Sequence, residues 1–205
     1  MRTILRGMHC RAWYVMQDSK YDRILNAAAS LIRRGGSDAL TTTALARESR
    51  TSTRDIYHHF EDKYAVISAL VERLHALYYS TINEAIKEAT SPEDELAKIV
   101  DASFSDRLFN EDNMHIWVEY WRFVRFDSVK FNFANNAYDQ SMARMNRILK
   151  DLGVNQQDAA FLFWTVIDGI WLQAATSKGK INRSRALDLA YLQVSLTIRR
   201  DIRSL

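Results

Sequence analysis

The sequence predicts an all-α protein, and three observations predict it. Proline occurs once and glycine six times in 205 residues, too seldom to punctuate a set of strands and turns. Apolar residues recur at steps of three and four along most of the chain, the period of a helix with one buried face. No stretch alternates apolar and polar residues between turn signals as a half-buried strand does. The length suffices for one large domain or two small ones with their own cores.

The elements follow in order. Residues 1–17 show no clear period and are expected to form a flexible arm. The first helix begins near Ser19, with Tyr21, Ile24, Leu25, Ala28, Leu31 and Ile32 on one face, and Gly35-Gly36 ends it. Thr41 is suited to cap a short second helix whose inward residues are Leu45 and Ala46. Ser49-Arg50-Thr51 makes a turn. Ser52 with Asp55 three residues later forms a capping box for a third helix that buries Ile56 and Phe60. A long helix is expected over about 62–89, roughly 40 Å from end to end. Ser91-Pro92 opens the next, with its cap and its proline at the first position. Further helices are expected over about 92–109, 112–126, 130–151, 156–177 and 183–203. The helix 156–177 is apolar almost all round, so it must be covered on more than one side.

Charge is distributed unevenly. Residues 1–63 hold 11 Lys/Arg against 7 Asp/Glu, a net of +4, and residues 64–205 hold 17 against 18, a net of −1. A basic module on a near-neutral body suits contact with a polyanion. A single cysteine, Cys10, excludes an intrachain disulfide and a Cys-rich zinc site. No apolar run approaches the roughly 18 residues of a membrane span, and the N-terminus lacks the pattern of a signal peptide. A cytoplasmic protein without membrane attachment is expected. There is no Gly-rich phosphate loop, no G-x-S-x-G and no H-E-x-x-H. The histidines show no metal spacing, so no enzyme, cofactor or metal site is expected.

The run Thr41, Leu45-Ala46, Ser49-Arg50-Thr51-Ser52, Tyr57-His58-His59-Phe60 and Lys63 resembles the N-terminal pattern of the TetR family of bacterial transcriptional regulators. Two positions depart from it: Arg50 stands where the family has a turn glycine, and Thr51 where it has a buried valine. An arginine in a left-handed backbone costs roughly 1 kcal/mol. Further on, Leu108-Phe109, Ile116-Trp117-Val118-Glu119-Tyr120-Trp121 and Ile167-Asp168-Gly169-Ile170-Trp171-Leu172 are similar to the BetI-like, or betaine/choline-regulator, subgroup. Arg125 to Tyr138 departs from it.

The resemblance implies a helix-turn-helix DNA-binding domain over 18–66 and a helical effector-binding and dimerisation domain over 67–205. It implies a homodimer that holds a pseudo-palindromic double-stranded operator until a small molecule releases it. Helix 52–59 would enter the major groove. Arg54 is suited to a bidentate contact with guanine, and Thr53 to a thymine methyl or a phosphate. Ser52 is a further exposed candidate. Thr41, Tyr57, His58 and Lys63 are read as phosphate contacts that fix register. Asp55, which phosphates repel, is assigned to capping or to pairing Arg54.

Trp117, Tyr120, Trp121, Phe123, Trp164 and Trp171 concentrate rings in two helices, with Glu119 and Asp168 among them. Aromatic faces attract quaternary ammonium, which fits the choline-like effector that the subgroup resemblance implies. Duller readings stay open. The rings are core, Asp168 is a hydrogen-bonded acid, and Glu119 pairs Arg122. Two alternatives to the whole stand beside it: a regulator of an unrelated hydrophobic or aromatic effector, and a helical protein-interaction module that ignores DNA.

Overall fold

The computed structural model describes residues 19–124, 133–177 and 179–199. The expected arm 1–17, the start of the helix expected at 130 and the end of the last helix lie outside them. Among the described residues are nine α-helices, one 3-10 turn and no strand. The helices are α1 Lys20–Gly35, α2 Thr42–Ser49, α3 Thr53–His59, α4 Lys63–Ile86, α5 Pro92–Ser103, α6 Glu111–Val124, α7 Phe133–Asp151, α8 Ala159–Thr176 and α9 Arg183–Ile198. The 3-10 turn, Gly36–Ala39, comes after α1. The chain divides into two compact units. One comprises residues 19–71 with 110–124, the other 72–109 with 133–199, so the division falls inside α4.

In the first unit α1 is the central element and packs against α2, α3 and α6. Its start is set by Ser19, whose hydroxyl accepts the Asp22 N–H at 3.1 Å. Its buried face carries Ile24, Leu25, Ala28 and Ile32, all essentially inaccessible. Burying such a side chain contributes about 1.5–3 kcal/mol. Leu45, Ile56 and Phe60 meet this face from the next two helices. Tyr21, expected inside, is at the surface, with its ring stacked on Phe60 at 5.2 Å. Ion pairs rim the packing: Arg34 to Glu48 at 2.9 Å and Arg33 to Asp112 at 3.2 Å.

The turn between α2 and α3 keeps the left-handed form that a glycine usually supplies. Arg50 sits at φ 55°, ψ 43°. Its N–H reaches back to Arg47 O at 3.4 Å, and the Thr51 N–H reaches Ala46 O at 3.0 Å. Those two bonds close a Schellman motif and satisfy the last carbonyls of α2. Thr51 turns its hydroxyl to Ser49 Oγ at 2.7 Å, and Ser49 also bonds Leu45 O at 2.6 Å. The polar Thr51 is therefore matched where a valine would only pack.

In the second unit α7 packs on α5 and α8, and α9 on α5 and α8. Leu96, Ile99, Phe104, Leu108, Met145 and Ile148 are fully buried there. Arg183 at the start of α9 donates to Phe104 O at 2.7 Å, and the Tyr191 hydroxyl donates to Asp101 at 2.9 Å. α5 stops at Ser103 rather than continuing to 109. Ser105 accepts the Leu108 and Phe109 N–H groups at its carbonyl, at 2.9 and 2.7 Å, and so turns the chain.

α8 departs from two expectations. Its 18 residues reach the length and hydropathy of a membrane span, at a mean of 1.3, with Thr165 and Asp168 set among apolar neighbours. Among the described residues it is also not covered on more than one side. Ala160, Phe163, Ile167, Ile170, Trp171 and Ala174 are buried, while Phe161, Leu162 and Leu172 stay exposed.

Replacing Arg50 by glycine removes the left-handed penalty and keeps the motif's hydrogen bonds. Arg50→Gly is expected to raise stability by about 0.5–1 kcal/mol. Urea unfolding should show a higher midpoint with an unchanged slope.

Candidate nucleic-acid interface and effector crevice

α3 has seven residues and buries one of them, Ile56. A helix this short has little stability of its own, so its pose is imposed from its ends. The Asp55 carboxylate supplies most of that. It accepts the Ser52 N–H at 3.0 Å, the Ser52 hydroxyl at 2.7 Å and the Lys20 ammonium at 2.6 Å. Ser52 Oγ in turn accepts the Asp55 N–H at 3.1 Å, which completes the capping box. The Lys20 bond, and after it the Ser52 bonds, hold the Asp55 carboxyl well below the usual range. Asp55 thus pairs Lys20 of α1, not Arg54. No motif marks Lys20 for this role, since it lies 35 residues away.

The remaining candidates line up around this anchor. Thr53, Arg54, Tyr57 and His58 are exposed, Tyr57 by 65% of its surface. Arg54 makes no ion pair with any described residue. Ser52 is exposed, but its hydroxyl is engaged in the capping box. Thr41 caps α2 by accepting the Ala44 N–H at 3.1 Å, which leaves its own O–H free to donate. The Thr42 hydroxyl donates to Tyr57 Oη at 3.4 Å and so steadies that ring. The His58 ring lies 5.1 Å from His59. Lys63 opens α4 with its ammonium 5.6 Å from the Tyr64 ring centre. The surface of α3 therefore presents a guanidinium that no described residue pairs.

The expected effector residues divide between the units. Trp117, Glu119, Tyr120, Trp121 and Phe123 lie on α6 in the first. Trp117 stands edge-on to Tyr120 at 5.5 Å and stacks on Trp121 at 6.2 Å. Phe123 packs its edge on Tyr64 at 5.2 Å. Glu119 is 6% exposed, and its Oε1 accepts the Ser37 N–H at 3.0 Å, while Arg122 lies 3.7 Å from its other oxygen. A Cβ on Gly36 would stand 2.9 Å from the same Oε1, and Gly36 has φ +62°. Glu119 thereby anchors α6 to the 3-10 turn after α1.

Trp164, Asp168 and Trp171 lie on α8 in the second unit. Trp171 is core, 4% exposed, with its ring edge-on to Phe109 at 5.2 Å. Trp164 instead lines a crevice with Tyr78, Tyr79, Ile82, Ser141 and Arg144. The space inside it is enough for about one water. Asp168 lies one helical turn beyond Trp164 on α8, outside the residues that line the crevice. Solvent still reaches it, yet crowding by the surrounding protein raises its pKa to about 6. Burial, and to a lesser degree the Asp168 charge, push the Tyr78 and Tyr79 hydroxyls up. Tyr138 feels the same charge. His75, whose ring is 6.0 Å from that of Tyr79, is held to a pKa of about 4 by burial. Tyr78, Tyr79 and Trp164 give the crevice ring walls, and Arg144 is the charged side chain in its lining. Tyr78 and Tyr79 escape a reading of the sequence, because at helical spacing Tyr78 belongs to the core stripe of α4 and Tyr79 adjoins it; the available signal is a tyrosine doublet within about one turn of a histidine.

The comparisons with known proteins come from both halves of the chain. The profile of bacterial regulatory proteins of the tetR family matches residues 24–70, and that of the BetI-type transcriptional repressor C-terminal region matches residues 92–195. The HTH-type transcriptional regulator BetI of Burkholderia ambifaria is 25% identical over 191 residues, covering 91% of this chain and 97% of its own length. A protein of Saccharomonospora viridis whose crystal structure holds choline superposes with a TM-score of 0.73 at 21% identity, over 85% of this chain and 94% of that one. The transcriptional regulator FadR of Bacillus subtilis, in complex with stearoyl-CoA, gives 0.73 at 17% identity, over 85% and 98%.

The Asp168 shift gives a signed test. Its folded pKa lies above the unfolded value near 3.8, so the folded state binds more protons between about pH 4 and 6, and wild-type stability falls as pH rises through that window. Asp168→Asn mimics the protonated acid. It is expected to unfold at a higher temperature than wild type at pH 7.5, with the gap closed by about pH 4. His75 has the opposite dependence, fading as pH falls from about 6.5 to 4, but it is common to both proteins and drops out of the difference.

Proposed function

Because the chain belongs to the TetR family of bacterial regulatory proteins, with the C-terminal region of its BetI-type repressors, we propose that it is a homodimeric repressor released from its operator by a quaternary-ammonium effector. The observation that carries the DNA reading is Arg54, exposed and unpaired on a helix whose acid is tied back to α1. Arg54 reads a guanine, and Thr53 a neighbouring methyl or phosphate. Thr41, Tyr57, His58 and Lys63 hold the phosphates on either side. Residues 18–66 form the reading domain and 67–205 the effector-binding and dimerisation domain, with α6 serving as a brace to the reader through Glu119. The protein works in the cytoplasm, where its operator is.

Dimerisation is supported by what one chain leaves uncovered. Phe161, Leu162 and Leu172 on α8, with Leu192 and Leu196 on α9, are 41–68% exposed; Phe161 and Leu172 fall on one side of α8, and Leu192 and Leu196 on one side of α9. A second copy would cover them and place two α3 helices on one DNA face. The effector reading is supported by the aromatic walls of the crevice, which suit a cation, and by Asp168, whose charge acts on Tyr78 and Tyr79. The effector acts by binding the conformation in which the two reading helices are badly spaced. α4, continuous from the reader into the effector domain, is the lever, and a few kcal/mol of coupling suffices.

Arg54→Ala is expected to weaken operator binding by about 1–3 kcal/mol and to relax the preference at one base of each half-site. Gel shifts at fixed salt measure both, and an unchanged affinity and preference removes Arg54 from readout. Light scattering at micromolar concentration should return twice the 23.8 kDa chain mass; a single-chain particle contradicts the dimer. Choline should change tryptophan fluorescence and lower DNA affinity at millimolar levels or below, and no response would dismiss a choline-like effector.

A further inference from the structure

We propose that Arg50, in the turn between α2 and α3, grips a DNA phosphate beside the groove that α3 enters, a sequence-independent hold added to the contacts of the helix itself. This rests on the DNA-binding reading of α3 and concerns a residue which that reading leaves without a task.

The backbone at Arg50 is left-handed, at φ 55° and ψ 43°. Glycine takes that form freely, whereas a β-carbon is penalised in it. The arginine side chain contributes nothing to the turn. The two bonds that close it run between backbone atoms, from Arg50 N to Arg47 O and from Thr51 N to Ala46 O, and glycine would make both. The Arg50 side chain is exposed, and among the described residues it has no hydrogen-bond or ion-pair partner. A penalised backbone beneath a side chain with no internal partner marks a residue kept for contact with another molecule.

The surroundings favour an anion. Residues 47–55 hold three arginines, Arg47, Arg50 and Arg54, and two acids, Glu48 and Asp55. Both acids are tied to cations of α1, Glu48 to Arg34 at 2.9 Å and Asp55 to Lys20 at 2.6 Å. The three arginines are exposed, and none has an ion pair among the described residues. The turn is therefore locally cationic. Arg50 stands two residues ahead of Ser52, the N-cap of α3, so the two Cα atoms are at most about 7 Å apart. The major groove is about 12 Å wide, which puts phosphates roughly 6 Å to either side of a helix lying in it. A long side chain rooted just outside the helix meets those phosphates, and a guanidinium binds their oxygens in pairs. Arg54, inside α3, is left for the bases.

Anisotropy of a labelled mixed-sequence duplex of about 30 base pairs, titrated with the full-length protein between about 50 and 200 mM salt, reads such a contact. Arg50→Gly is expected to be at least as stable as wild type, so weaker binding by it is not lost structure. Its affinity should fall about five- to tenfold near 0.1 M salt, with a log–log salt slope shallower by about one. Arg50→Asn, neutral and also tolerated in a left-handed backbone, should behave likewise. Arg50→Lys, which keeps the charge, should keep the wild-type slope. Duplexes selected from a random pool should show the same base preference with wild type and Arg50→Gly. Unchanged affinity and slope in the two neutral variants, a slope lost equally in Arg50→Lys, or an altered base preference overturns the phosphate role while the DNA reading stands. A wild-type protein that binds no duplex overturns both.

Discussion

The carboxylate of Asp55 is the point on which the reading head depends. A helix of seven residues with one buried side chain can roll about its axis, and a shift of one residue turns its outward face by about 100°. Ile56 sets the depth of α3, but a single apolar contact does not fix rotation. Asp55 does, by accepting two bonds from Ser52 and one from Lys20. The charges are near the surface, so their contribution to stability is small; what they supply is geometry. The same arrangement explains which residues are left to meet DNA. Ser52 and Asp55 are occupied with each other, and Arg54, beside them on the outward face, is not.

The turn before it shows how a departure from the usual pattern is absorbed. Arg50 adopts the left-handed backbone that glycine takes without penalty, and both Schellman bonds still form. The pitch into α3 is preserved at a modest cost. In the second unit the equivalent tension is between packing and exposure. α8 buries one side on α7 and α9 and leaves the other apolar side open. An open apolar face and a ring of the crevice wall thus lie on one helix.

Much of this is legible in the sequence, and the reason is that it is local. The caps at Ser19, Thr41, Ser52 and Ser91 act within three residues of themselves, so the spacing that predicts them also makes them. The 3-10 turn is not legible, because Gly35-Gly36 announces the end of α1 without fixing the conformation of the residues after it. Long-range pairs are invisible for a different reason. Glu119 beside Arg122 reads as a helical ion pair, yet its carboxylate reaches the Ser37 N–H 82 residues earlier. Rings alone cannot separate core from crevice wall: Trp171 and Trp164 share a helix, and only their burial and neighbours distinguish them.

Two copies of α3, each fixed by Asp55, should read DNA together. Selection of tight-binding duplexes from a random-sequence pool by the full-length protein tests this most directly, since it presupposes no operator. The expected result is enrichment of an inverted repeat whose half-site centres lie about 10–10.5 base pairs apart or a multiple of that. A pool that shows no enrichment above non-specific binding, or that converges on single unpaired sites, would contradict it.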